Sequence, residues 1–139
     1  QQIVEKKIAW GDLDSLGIVF YPRYYEWIDH CSHLFFDKIG LNLVRLYEDR
    51  KLQFGLVESG CEYFSPGRYH QEIVIKTRIE KAEKKTISLR HTIEDKNQNH
   101  LMVSAMEKRI CIHEEKPGLL RAHDIPGDIA EILQQNLLD

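Results

Sequence analysis

Asp12-Leu13-Asp14-Ser15-Leu16-Gly17-Ile18-Val19-Phe20-Tyr21-Pro22 is the most informative run in this 139-residue chain. It opens on carboxylates and a glycine, too short and polar to be core, then passes through an apolar tripeptide into Tyr21-Pro22. Proline suits the first turn of a helix, because its ring presets φ and its missing N–H would have had no partner there. From residue 23 to 39 the apolar side chains Tyr24, Trp27, Ile28, Cys31, Leu34, Phe35 and Ile39 recur at spacings of three and four. That is one face of a long amphipathic helix. Gly40 follows, the residue type that most often closes a helix in the left-handed region.

A carboxylate-bearing turn therefore stands ahead of a helix N-terminus, where first-turn N–H groups and the dipole favour negative charge. Asp14 can serve as a nucleophile, or as a base on water. Pro22 has no N–H, so the donor that could polarise a carbonyl at this point is the N–H of Tyr21. The pair supplies no general acid. A leaving group that departs unaided is favoured, and a thiolate meets that demand better than an alkoxide or an amine. The chemistry that fits is thioester hydrolysis. On pattern alone, the commoner role of Asp12 and Asp14 is an Asx-turn that shields the helix end.

Around this centre the chain reads as one domain over residues 1–139, without repeats, linkers or low-complexity segments. A strand is expected over 2–10 and a short helix over 43–50. Strands follow over 54–64 (with a bulge or close approach at Gly60), 69–82, 86–94 and 101–113. Pro117-Gly118 is expected to end the sheet, and a terminal helix carries Ile129, Ile132, Leu133 and Leu137 on its apolar side. Ile73, Ile75, Thr77 and Ile79 share one strand face, and Ile87, Leu89, His91 and Ile93 share the inward face of the next. Tight reversals imply antiparallel pairing. The expectation is an α+β fold, an antiparallel five-stranded sheet wrapped around one long helix.

Formal charge is −3 with both signs interspersed, which leaves no footprint for nucleic acid. No stretch has the apolar length of a membrane span, and no charged-then-apolar leader pattern opens the sequence. Cys31, Cys61 and Cys111 are odd in number and widely spaced, as expected of reduced thiols in a cytoplasmic protein.

The run from Gly11 to Asp29 resembles the signature D-x-D-x-x-G-[IV]-V-[FWY]-Y-P-x-[FY] of the 4-hydroxybenzoyl-CoA thioesterase family, which are hotdog-fold acyl-CoA thioesterases. Lys84-Lys85-Thr86-Ile87-Ser88-Leu89-Arg90-His91 is similar to that family's basic turn and following strand, and Leu120-Arg121-Ala122-His123-Asp124-Ile125-Pro126 to its closing segment. The resemblance implies Asp14 as the catalytic carboxylate and Tyr21 as the backbone donor to the thioester carbonyl. It implies Gly17 as the glycine that lets the loop approach substrate, Asp29 as a carboxylate near the acyl pocket, and Lys84 and Lys85 as holders of the CoA phosphates. It also implies an acyl-CoA substrate, no metal or organic cofactor, and a homo-oligomer, a dimer of dimers with sites between subunits. Pro22 stands where the phospholipid-linked branch usually has His, which leans towards an aromatic, hydroxybenzoyl-type acyl group. Glu83 and Pro66 depart from the hydroxybenzoyl branch, which has a basic residue and a threonine there.

The alternatives are a thioesterase acting on fatty acyl-CoA or acyl carrier protein thioesters, and a non-catalytic acyl-CoA-binding module. A dehydratase of the same fold would need a histidine where Pro22 stands. Asp29, His33 and Asp37 form an i, i+4, i+8 row that could hold a metal but reads better as a polar seam. His91 reads as a satisfied core or interface histidine. Glu58 and Glu62 are further candidates for a second carboxylate, and Arg68, Arg109 and Arg121 for a phosphate site. Which acyl group is taken, and whether Asp14 attacks or activates water, stay open.

Overall fold

In the computed structural model, residues 1–137 are described, and the last two residues of the expected domain lie outside them. Helix α1 spans Pro22–Lys38, with Tyr21 as N-cap, Pro22 in the first turn and Lys38 in the last. Ile39 caps the end and Gly40 follows at φ 89°. The expected stripe is buried at Tyr24, Trp27, Ile28, Cys31 and Phe35, and Phe36 joins it, whereas Leu34 stays exposed. Each such side chain contributes about 1.5–3 kcal/mol by leaving water.

The strands are β1 (Gln2–Lys7), β2 (Leu52–Tyr63), β3 (Glu72–Ala82), β4 (Thr86–Asp95), β5 (Leu101–Lys116) and β6 (Leu119–Ala122). Two short helices complete the fold, α2 (Leu43–Arg50) and α3 (Gly127–Asn136). All strand pairs are antiparallel, in the order β1-β3-β4-β5-β2, with β6 added to β5. The sheet curls around α1 as expected.

Four details depart from the sequence reading. The sheet has six strands, because Pro117-Gly118 reverses the chain instead of ending the sheet and returns β6 along β5. Strand β1 stops at Lys7, and Trp10–Asp12 forms a 3-10 turn in which Ala9 N–H reaches the Asp12 carboxylate at 2.9 Å. The bulge in β2 lies between Leu56 and Glu58, not at Gly60. Strand β3 begins at Glu72 because His70 adopts φ 68°, which takes Tyr69 and His70 out of the ladder.

The interior holds two apolar clusters. One gathers Val19, Tyr24, Trp27, Ile75 and Ile93 near the start of α1, and the other gathers Phe35, Phe36, Phe54, Leu89 and Leu133 near its end. Between them runs a polar band. The inward row of β3 reads Ile75-Thr77-Ile79, that of β4 Leu89-His91-Ile93, and that of β5 Ala105-Glu107-Arg109. Thr77 faces His91 directly in the ladder. Ser32 on α1 closes the band from above, hydrogen-bonded to Glu107 and lying 3.2 Å from His91 Nε2.

Candidate active site

The loop before α1 folds back on itself. Leu13 and Val19 form an antiparallel bridge, Asp14 N–H donates to Ile18 C=O at 2.9 Å, and Phe20 N–H donates to Asp12 C=O at 2.8 Å. At its tip Gly17 N–H closes a turn onto Asp14 C=O at 3.0 Å, with Gly17 at φ 77°, a conformation that glycine adopts without strain. Leu16 N–H donates to Asp14 Oδ1 at 2.8 Å, so the Asx-turn is formed. Asp14 Oδ2 has no partner among the described residues.

The first turn of α1 uses up its own donors except one. Arg23 N–H goes to Phe20 C=O at 2.9 Å and Tyr24 N–H to Tyr21 C=O at 3.1 Å, while Pro22 has none. No acceptor among the described residues takes the Tyr21 N–H. Beside Tyr21 lies a cleft of about 310 Å³ walled by Ile18, Val19, Tyr24, Tyr63 and Pro66. The rings of Tyr24 and Tyr63 lie 5.5 Å apart at 46°. Asp14 is not itself a wall residue. It adjoins the cleft through Ile18, whose carbonyl it holds.

The other residues expected at the site sit apart from this cleft within one chain. Asp29 lies further along α1, its carboxylate 2.8 Å from Arg109 Nη2 and 3.7 Å from His33 Nδ1. Lys84 and Lys85 occupy the β3–β4 reversal, both turned to Asp124, at 3.7 and 2.8 Å. The Lys85 hydrogen bond and the charges of both lysines hold the Asp124 carboxyl below its ordinary range. Arg109 is not free for phosphate: it is buried and spans Asp29 and Glu107. Glu58 and Glu62 are exposed on β2 and do not line the cleft. Among the described residues no group of three or more His, Cys, Asp or Glu is placed to hold a metal ion. His91 is satisfied, with Thr77 Oγ1 at 2.8 Å from Nδ1 and Glu107 Oε1 at 3.1 Å from Nε2.

All three cysteines are free. Burial pushes each thiol up, Cys31 to about 11, so none is poised as a thiolate nucleophile. The sequence reading did not single out Tyr24, Tyr63 or the Glu107–Ser32 pair. Tyr24 looks like any stripe residue, and a glutamate in a strand looks like a solvated face.

A curled antiparallel sheet around one long helix is the architecture of the hotdog fold. The chain belongs to the thioesterase superfamily, whose family profile matches residues 16–101. It is 27% identical over 134 residues to the 4-hydroxybenzoyl-CoA thioesterase of Pseudomonas sp. (strain CBS-3), covering 93% of this chain and 94% of that protein. Among solved structures it is similar to a gentisyl-coenzyme A thioesterase, with 28% identity, TM-score 0.79, and 96% of this chain and 99% of that one covered. It is also similar to a 4-hydroxybenzoyl-CoA thioesterase mutant complexed with 4-hydroxybenzoyl-CoA, with 26% identity, TM-score 0.85, and 95% and 97% covered. No helix among the described residues is long and apolar enough to cross a membrane.

Proposed function

We propose that this chain hydrolyses an acyl-CoA thioester to free acid and CoA, with an aromatic, hydroxybenzoyl-type acyl group preferred, in the cytoplasm. The observation that carries this reading is the unpaired Tyr21 N–H at the head of a cleft walled by two tyrosine rings. A thioester carbonyl at that N–H develops its negative charge against a fixed donor. Asp14 Oδ2 either attacks the carbonyl carbon or takes a proton from the attacking water. On the first route the C–S bond breaks, the sulfur leaves as thiolate, and water then cleaves the Asp14 anhydride to free acid and the regenerated carboxylate. On the second the water oxygen bonds to the carbonyl carbon, its proton passes to Asp14, and the C–S bond breaks to free acid and thiolate, which takes up that proton. Neither route calls for a metal or organic cofactor, because a thiolate departs without prior protonation.

Aromatic walls favour a planar acyl group through offset and edge-on contacts. The relatives named for 4-hydroxybenzoyl-CoA and gentisyl-coenzyme A support the same preference. The chain is expected to work as a homotetramer, a dimer of dimers, in which a second copy brings Asp29 and the Lys84-Lys85 turn to a neighbouring cleft. The end strand β2 suits such pairing, since Leu56 and Val57 are 50% and 55% exposed at its bulge.

The test is a steady-state comparison of 4-hydroxybenzoyl-CoA with fatty acyl-CoA, following free thiol, in wild type and Asp14→Asn. Hydrolysis of the aryl ester is expected to dominate, and Asp14→Asn is expected to lower kcat by about 10²–10⁴-fold. Full activity in Asp14→Asn overturns the catalytic assignment. Tight binding of CoA esters without thiol release makes the chain a binding module instead.

A further inference from the structure

The loop that carries Asp14 and the helix that Tyr21 caps meet at one residue of a third segment, Gly67. Its carbonyl accepts the Val19 N–H at 2.9 Å, and its own N–H donates to the Tyr24 hydroxyl at 3.1 Å. Val19 is the bridge partner of Leu13 within the loop, and Tyr24 lies one turn into α1 and walls the cleft. Both bonds are buried with the residue. A Cβ added to Gly67 would lie 2.7 Å from Val19 Cγ2, 2.9 Å from Ile8 Cδ1 and 3.0 Å from the Tyr24 hydroxyl. Real side chains do not tolerate such distances, so something must move. Ile8 can swing its terminal methyl. Val19 has a single stiff torsion and Tyr24 a ring held in the core, so the strain falls on the loop and the helix start.

We infer that Gly67 is a positioning residue of the thioester-cleaving site, a main-chain clasp that fixes the Asp14 loop against the first turn of α1 and admits no side chain. The inference rests on the function proposed above. Gly67 touches no substrate. It acts by setting the distance between the carboxylate loop and the Tyr21 amide, the two elements that must meet the same carbonyl. Val19 and Tyr24 also wall the cleft, so KM is read beside kcat: a clasp that sets alignment moves kcat by the larger factor.

The experiment is Gly67→Ala, alone and with Val19→Ala, which removes the methyl nearest the new Cβ. Gly67→Ala is expected to lower kcat about 10- to 100-fold, the scale of an ångström-level misplacement, with KM changed by less than about threefold. Placed on the Val19→Ala background, the same substitution is expected to cost less than about threefold in kcat. A merely structural glycine would give a lower melting temperature with unchanged kcat in the folded fraction, and that result overturns the inference. Equal kcat losses with and without Val19→Ala also overturn it. Should Gly67→Ala not fold, Tyr24→Phe serves: it deletes the acceptor of the Gly67 N–H, keeps the ring, and is expected to lower kcat with KM held. Unchanged kcat there overturns the clasp. Amide hydrogen exchange at Val19 separates the two readings: it is expected to accelerate in Gly67→Ala whether or not any CoA ester is hydrolysed. An inactive wild type would sink the proposed function, whereas unaltered Val19 exchange would sink the clasp.

Discussion

His91 Nε2 lies 3.1 Å from Glu107 Oε1 beneath the central helix, and both side chains are out of contact with solvent, at 0% and 1% exposure. This pair sits where the two apolar clusters would otherwise merge. It is joined to the surface through Arg109, which bridges Glu107 at 3.2 Å and Asp29 at 2.8 Å. The interior of the sheet is thus keyed by charge at its middle, and the outer end of the key is a carboxylate on α1.

Removal of Glu107 leaves Arg109 with half its counter-charge in a buried site. Glu107→Ala is expected to destabilise the fold by about 3–5 kcal/mol, measurable by denaturant unfolding. Burial pushes the Glu107 carboxyl up, but hydrogen bonds from His91 and Ser32 and the Arg109 charge outweigh it and hold it lowered. Its folded-state value is therefore below its unfolded one. The unfolded chain binds more protons between them, and stability there rises with pH. The Glu107 contribution is complete above the unfolded carboxyl value of about 4.3 and is lost as pH falls through the folded value. Melts across that acidic range should show a weaker pH dependence in Glu107→Ala than in wild type.

The rings of Tyr24 and Tyr63 set the width and chemistry of the cleft beside Tyr21. Tyr63→Ala is expected to reduce kcat/KM for a benzoyl-type ester by roughly two- to tenfold relative to a straight-chain acyl-CoA, the worth of one aromatic contact. Equal losses on both substrates would show that the ring has no say in selectivity.

Lys84, Lys85 and Asp124 make opposite predictions. If the lysines grip the CoA phosphates, alanine at both should raise KM, by up to about fivefold per charge, with kcat little changed. Asp124→Asn should lower KM, because it releases two ammonium groups from their present partner. The KM of wild type should rise with ionic strength and that of the double variant should rise less. Identical salt profiles would remove these lysines from the binding site.

Much of this was readable because it is local. The bracket of Pro22 and Gly40, the stripe on α1, and the inward rows Ile73-Ile75-Thr77-Ile79 and Ile87-Leu89-His91-Ile93 follow from periods of 3.6 and 2. Gly17 and the Asx-turn at Asp14 follow from turn chemistry within a few residues. Bulge placement and strand ends were less legible. The bulge in β2 depends on its register with β5, not on the glycine at 60, and β6 exists only because β5 runs long enough to receive it.

The sequence by itself determined the long helix, the five main strands and their antiparallel pairing about it, and the carboxylate loop at the helix head, since each follows from the period within one element or from the turn chemistry between neighbours. Tertiary structure alone decided that Arg109 and Glu107 face inward, that Arg109 meets Asp29 from 80 residues away, and that Gly67 clasps Tyr24 from 43 residues away. A charged strand residue or a loop glycine carries no mark of its partner. The partner is fixed only when the sheet curls and brings distant segments within hydrogen-bonding reach.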